Sequence, residues 1–150
     1  MNKDVVNTLN ELIETCKDGE YGFNTCAEHT KTDDLRKQFT TRAHECRNAA
    51  GELQHLVFEY GGEPEVKGTA SGALHRGWVA VLGAVAGSSD YRMLEEAERG
   101  EDAALARYRK ALKNDQLPDS VRALVQRQML GVQHNHDQVK ALRDACAVKQ

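Results

Sequence analysis

The sequence predicts an all-α protein. Three observations carry the prediction: only two prolines in 150 residues, few β-branched runs, and apolar residues recurring at spacings of three and four along most of the chain. With 40% hydrophobic and 29% charged residues, the composition suits a single globular domain over residues 1–150, with one continuous core.

The first helix is expected from about Asp4 to about Lys31, with Val5, Leu9, Leu12, Cys16, Phe23 and Ala27 on one stripe. Gly19 and Gly22 weaken it, each by about 1 kcal/mol against alanine, without ending it. Thr32 and Asp33 are cap residues for a second helix. Its stripe is Phe39, Ala43, Cys46, Ala50, Leu53, Val57 and Tyr60, and Gly61-Gly62 stops it,. From Gly61 to Ser89 the composition shifts toward Gly and Ala, and a shorter helix is expected around Leu74, Trp78, Val81, Leu82 and Val85.

Ser89 or Asp90 caps a third long helix that continues to about Lys113 through Leu94, Glu101, Leu105, Tyr108 and Leu112. After the turn NDQLPD, Pro118 begins a fourth, carrying Val121, Leu124, Val125, Val132, Val139, Leu142 and Cys146,. Two antiparallel hairpins joined by a long crossover that contains a short extra helix make the plan of a ferritin-like four-helix bundle.

Several partner classes are disfavoured by charge and pattern. The 20 basic and 23 acidic residues give a net charge of −3 and are well mixed, so neither a nucleic-acid footprint nor a polybasic membrane anchor is present. The longest apolar run, GWVAVLGAVAG at 77–87, is about half the length a bilayer demands. With no secretory signal at the N-terminus, a cytoplasmic location is expected. Cys16, Cys26, Cys46 and Cys146 show no CxxC spacing and read as reduced, mostly buried thiols.

Further motifs bring a resemblance. The segments LHRGW (74–78), ERGED (98–102) with ALARYRKAL (104–112), and LPDSVRALVQRQ (117–128) resemble a family of small bacterial ferritin-like four-helix bundles of unknown function. The likeness covers nearly the whole chain. It implies the bundle fold with its crossover helix and leaves the chemistry open.

Metal binding can be weighed by helical phase. Glu52 and His55 form the Glu-x-x-His spacing with which such bundles hold iron. At about 100° per residue they lie over 90° from the stripe of Phe39, Cys46, Ala50, Leu53 and Val57, and so are expected to face water. Glu45 sits at the edge of that stripe. Glutamine occupies position 133 where a fourth-helix Glu-x-x-His would place an anion before His136. His134, two residues from His136, faces another way and reads as solvated.

Glu20, Glu101, Glu98 at the edge, Gln128, Asn135 and His136 do lie on or near core stripes, as does Arg42. A buried carboxylate requires a cation or a proton. Two arrangements answer this: a metal held by Glu20, Glu98, Glu101 and His136, or a buried network of Glu20, Arg42, Glu101 and Gln128 built on the arginine's planar fork. The network is favoured, because the second helix offers no inward Glu-x-x-His. It points to a non-enzymatic interaction or stress-associated protein, self-associating through the crossover helix or binding a protein partner. The alternative is a di-iron-type protein that oxidises or stores iron or handles peroxide, with iron or another divalent metal as cofactor. No catalytic nucleophile arrangement stands out.

Overall fold

Stripes of apolar residues one helical turn apart can leave water only by packing on one another. The computed structural model describes residues 2–65 and 89–149, which form four helices: α1 (Asn2–His29), α2 (Asp33–Glu59), α3 (Asp90–Leu112) and α4 (Asp119–Lys149). No strand occurs among the described residues. The short helix expected around Leu74–Val85, and with it LHRGW, His75, Arg76 and Trp78, lies outside the described residues.

Side-chain hydrogen bonds at the two ends fix the helix directions. Thr30, just past α1, donates to Oδ1 of Asp90 at the start of α3 over 2.8 Å. At the opposite end Asn114, just past α3, donates to Thr8 of α1 over 3.2 Å. α1 and α3 therefore run antiparallel, and α2 runs parallel to α3. Asn10 of α1 bonds both Glu63 O and Glu65 N, at 3.1 and 2.9 Å. Glu65 and Ser89 thus lie at opposite ends of the bundle, roughly 30 Å apart at the rise of an α-helix. α1 packs on α2 and α3, and α4 packs on α3 and, least extensively, on α2.

The caps follow local chemistry, with one change from expectation. Ser89 accepts from the Arg92 N–H at 3.3 Å and caps α3 as its residue type predicts,. Thr32 stands at the N-cap of α2 but makes no side-chain cap bond. Its hydroxyl is instead donated to Oδ2 of Asp90, so a tertiary contact has displaced the local one. At the other end of α2, Gly61 N–H bonds Phe58 O and Gly62 N–H bonds Val57 O, with Gly61 at φ +76°. Those are the two bonds of a Schellman stop. Gly62 has a separate reason to lack a side chain: a Cβ there would come within 2.6 and 2.8 Å of the two methyls of Val6.

Among the described residues the core has two apolar parts. One gathers Leu9, Leu12, Ile13, Leu53, Val57, Leu105, Val121 and Val125 toward the start of α1. The other gathers Phe23, Leu35, Phe39, Met93, Leu94 and Val139 toward the α1–α2 connection. Among the described residues the expected stripe residues are buried, except that Tyr60, Leu112, Leu124, Leu142 and Cys146 are half-buried. No helix among the described residues is long and apolar enough to cross a membrane.

Candidate mid-bundle site

Between the two apolar parts the stripes of α2 and α3 each carry a charge. Arg42 follows Phe39 and precedes Cys46 on the buried face of α2; Glu101 lies between Ala97 and Leu105 on that of α3. Arg42 is 9% and Glu101 2% exposed. The guanidinium engages the carboxylate side-on, Nε donating to Oε1 at 3.2 Å and Nη2 to Oε2 at 3.5 Å. Its Cζ also lies 5.6 Å from the centroid of the Phe23 ring, which is stacked in turn on Phe39,. Burial pushes the Glu101 carboxyl above the usual carboxylate range, and Arg42 draws it back. Burial disfavours the Arg42 charge, but Cys46, at a pH high enough to ionise its thiol, and the Glu101 carboxylate beside it outweigh that cost, and its pKa is raised.

A second chain of polar contacts crosses all four helices at this level. Tyr108 of α3 donates its hydroxyl proton to Gln128 Oε1 of α4 over 2.8 Å. Cys16 of α1 lies 3.3 Å from the same hydroxyl, and its S–H donates, because the single phenolic proton is already used. The Gln128 amide donates to Ala49 O and Glu52 Oε1 of α2, both at 3.2 Å. Arg127 closes the outer end with a 2.6 Å contact to Glu52 Oε2. Among the described residues no buried side-chain nitrogen or oxygen lacks a partner.

A cavity of about 240 Å³ adjoins both sets of contacts, bordered by Cys16, Arg42, Cys46, Glu101, Tyr108 and Gln128 and reaching Glu52 and Arg127 at its rim. A second, of about 220 Å³, lies on the other side of Arg42 among Phe23, Phe39, Asn135 and Val139. Both lie where α2 and α4 pack least closely. Burial raises the Cys16 thiol to about 11 and the Cys46 thiol further still, so both border the cavity as neutral thiols.

The residues singled out in the sequence do not all converge here. Glu20 does not join the layer: it is half-buried and faces Lys17, one turn away on its own helix, at 3.6 Å. In this part of α1 the buried face is drawn round toward Thr15, Gly19, Gly22 and Cys26, which moves Glu20 to the edge. The acid that α1 buries is Asp18, 2% exposed. Gln128 joins Tyr108 and Glu52, and not the Arg42–Glu101 pair. Glu45 is exposed beside the cavity.

His55 faces water and contacts Glu59 at 3.1 Å. Glu52, exposed as phase required, still turns its carboxylate toward Gln128. His134 is exposed, and Asn135 is buried with its amide on Gly131 O at 2.9 Å.

Glu98 and His136 lie together, but with Asp102 in place of Glu20 and Glu101. His136 Nε2 is 2.7 Å from Asp102 Oδ1 and 3.9 Å from Glu98 Oε1. The four residues of the expected metal set therefore do not share one contact: Glu101 is taken by Arg42, though near enough to His136 to feel its charge, and Glu20 by Lys17. Asp102 does not stand out in the sequence because its phase turns it outward. Its position four residues after Glu98 was the available signal. Tyr108 and Cys16 lie on core stripes, and nothing in their spacing shows that their polar atoms meet.

A di-iron centre needs several inward carboxylates with histidines at one level. Of the carboxylates around the mid-bundle cavity, Glu101 alone is buried and is already engaged by a guanidinium, Glu52 at the rim is held by Gln128 and Arg127, and Glu45 is exposed, while the other polar groups are two neutral thiols, a phenol and an amide. Those groups do not fit such a centre.

Fold and site together define, over the described residues, a protein of four helices with a charged and hydrogen-bonded layer across its middle. The chain belongs to the family described as Domain of unknown function (DUF2383), whose model matches residues 4–114. That span contains Cys16, Arg42, Glu101 and Tyr108, while Gln128 and His136 lie beyond it. No curated protein matches the chain.

Proposed function

We propose that this protein is a ferritin-like bundle that acts by binding, without a resident metal at mid-bundle and without catalysis. One observation carries the reading: the buried Glu101 carboxylate is neutralised by the fork of Arg42. An iron-binding bundle would supply a metal cation at the corresponding level. The ferritin-like plan is supported by the helix directions, since α2 and α3 run parallel and the chain between Glu65 and Ser89 has its ends at opposite ends of the bundle. The rival di-iron reading would have Glu20, Glu101 and His136 share an ion, yet Glu20 contacts Lys17 and His136 contacts Asp102. The cavity beside the pair, with its rim between α2 and α4, provides the space in which a small polar ligand or a partner's side chain would be held.

The test is metal content together with Fe²⁺ titration of the parent and of Glu101→Gln, each checked for helicity. Glu101→Gln is expected to leave metal content unchanged, and neither protein is expected to oxidise Fe²⁺ faster than buffer. Stoichiometric metal in the parent that disappears in Glu101→Gln, with the fold retained, overturns the proposal.

A further inference from the structure

We propose that Glu98, Asp102 and His136 form a binding site for one first-row divalent transition cation on the α3–α4 face, separate from the mid-bundle layer. Glu98 and Asp102 stand one turn apart on α3, and His136 reaches them from α4. One donor atom from each lies within 4.8 Å of the other two. The contacts of 2.7 and 3.9 Å from His136 Nε2 bracket the roughly 3–3.5 Å between donors that surround an ion at about 2.0–2.2 Å. Small side-chain adjustments would complete the set.

The imidazole is already aimed. Its Nδ1 contacts Asp137 Oδ1 at 3.1 Å, and the same oxygen accepts from Gln133 Nε2 at 3.0 Å. A histidine held by a carboxylate at one nitrogen presents the other to a metal in a fixed orientation. Here that other nitrogen is the one facing Glu98 and Asp102. Gln133, a poor ligand itself, thus acquires a place behind the ligand it precedes.

Burial is graded across the site. The Glu98 and His136 side chains are 12% and 14% exposed, and that of Asp102 is 60% exposed. Two ligands are anchored between helices and the third stands at the solvent side, which gives an entry route and leaves positions for water. Arg143 holds the second Glu98 oxygen, Oε2, leaving Oε1 toward His136, and also contacts Asp144 at 3.1 Å. The carboxylates of Glu98, Asp102 and Asp137 outnumber the guanidinium, so the charge balance still favours a cation. The imidazole selects ions of the Mn²⁺ to Zn²⁺ series over Mg²⁺ and Ca²⁺, which prefer all-oxygen shells.

The inference does not depend on the mid-bundle reading, and the test separates them. Metal-free full-length chain is titrated with Zn²⁺ by calorimetry, with Mg²⁺ as control, alongside Asp102→Asn, His136→Gln, Arg143→Ala and Glu101→Gln. One Zn²⁺ per chain is expected, weakened by about tenfold or more in Asp102→Asn and His136→Gln, tightened in Arg143→Ala, and retained with far less weakening in Glu101→Gln, whose helicity is checked alongside. Asp102 is exposed, so its variant is expected to keep the parent's circular dichroism. Absence of saturable Zn²⁺ binding shows that the three residues make ion pairs only and overturns the proposal. Binding that survives both ligand variants overturns it equally.

Discussion

Arg42 and Glu101 show what a charge does on an apolar stripe. Each would be strongly unfavourable alone, and the side-on fork makes them tolerable together. Removing one partner is therefore far more disruptive than removing both, because a single deletion leaves an uncompensated buried charge. Arg42→Met is expected to cost about 3–5 kcal/mol near neutral pH, while Arg42→Met/Glu101→Leu regains most of it. The pH dependence has a definite sign. Glu101 is already raised by burial, and loss of Arg42 raises it further. An acid raised in the folded state costs nothing below its unfolded pKa, and its cost grows as pH climbs toward the folded value. The stability gap between parent and Arg42→Met therefore widens from about pH 4 to pH 7, as chemical denaturation at a series of pH values will show. A gap that is constant or narrows over that range contradicts the buried-carboxylate account.

At the scale of elements, one carboxylate ties three helices together. Asp90, in the first turn of α3, accepts from the hydroxyls of Thr30 and Thr32 and weakly from Lys31 N–H, all in the α1–α2 connection. Burial works to raise its pKa, and those hydrogen bonds, Thr32 foremost, outweigh it and lower the pKa. A lowered acid contributes stability above its unfolded pKa and loses it as pH falls through the folded one. Asp90→Ala should destabilise the protein by about 1 kcal/mol or more at neutral pH. The difference should shrink as pH drops below the carboxylate range. Thermal melts of the two proteins from pH 7 to pH 3 check this, and an undiminished difference at pH 3 argues against it. The same contact explains why Thr32, a residue with an N-cap side chain, does not cap α2: its hydroxyl has a charged acceptor on another helix.

At the scale of the molecule, the polar layer divides the core formed by the described residues into unequal parts. The part near the start of α1 has more fully buried side chains and more half-buried residues packed on it than the part near the α1–α2 connection. Local opening follows buried apolar contact. Amides of Leu9–Ile13, Ala50–Val57 and Val121–Val125 are accordingly expected to exchange last. Those near Phe39, Leu94 and Val139 should exchange at lower opening free energy, and the reverse order in native-state hydrogen exchange would refute this division. The sequence by itself determined four long helices, their stripes and most of their ends. Periodicity, caps and the Gly61-Gly62 stop act within a few residues, so they can be read along the chain. It also placed Arg42, Glu101 and Gln128 in core phase, since a stripe with few gaps fixes the direction of whatever polar residue interrupts it. Only the tertiary structure decided which polar atoms meet: that Asp18 and not Glu20 is buried, that Gln128 turns to Tyr108 and Glu52, and that Glu98 and His136 are joined by Asp102. Those outcomes depend on small rotations of each helix and on side chains arriving from neighbouring helices, and spacing along one helix carries no record of either.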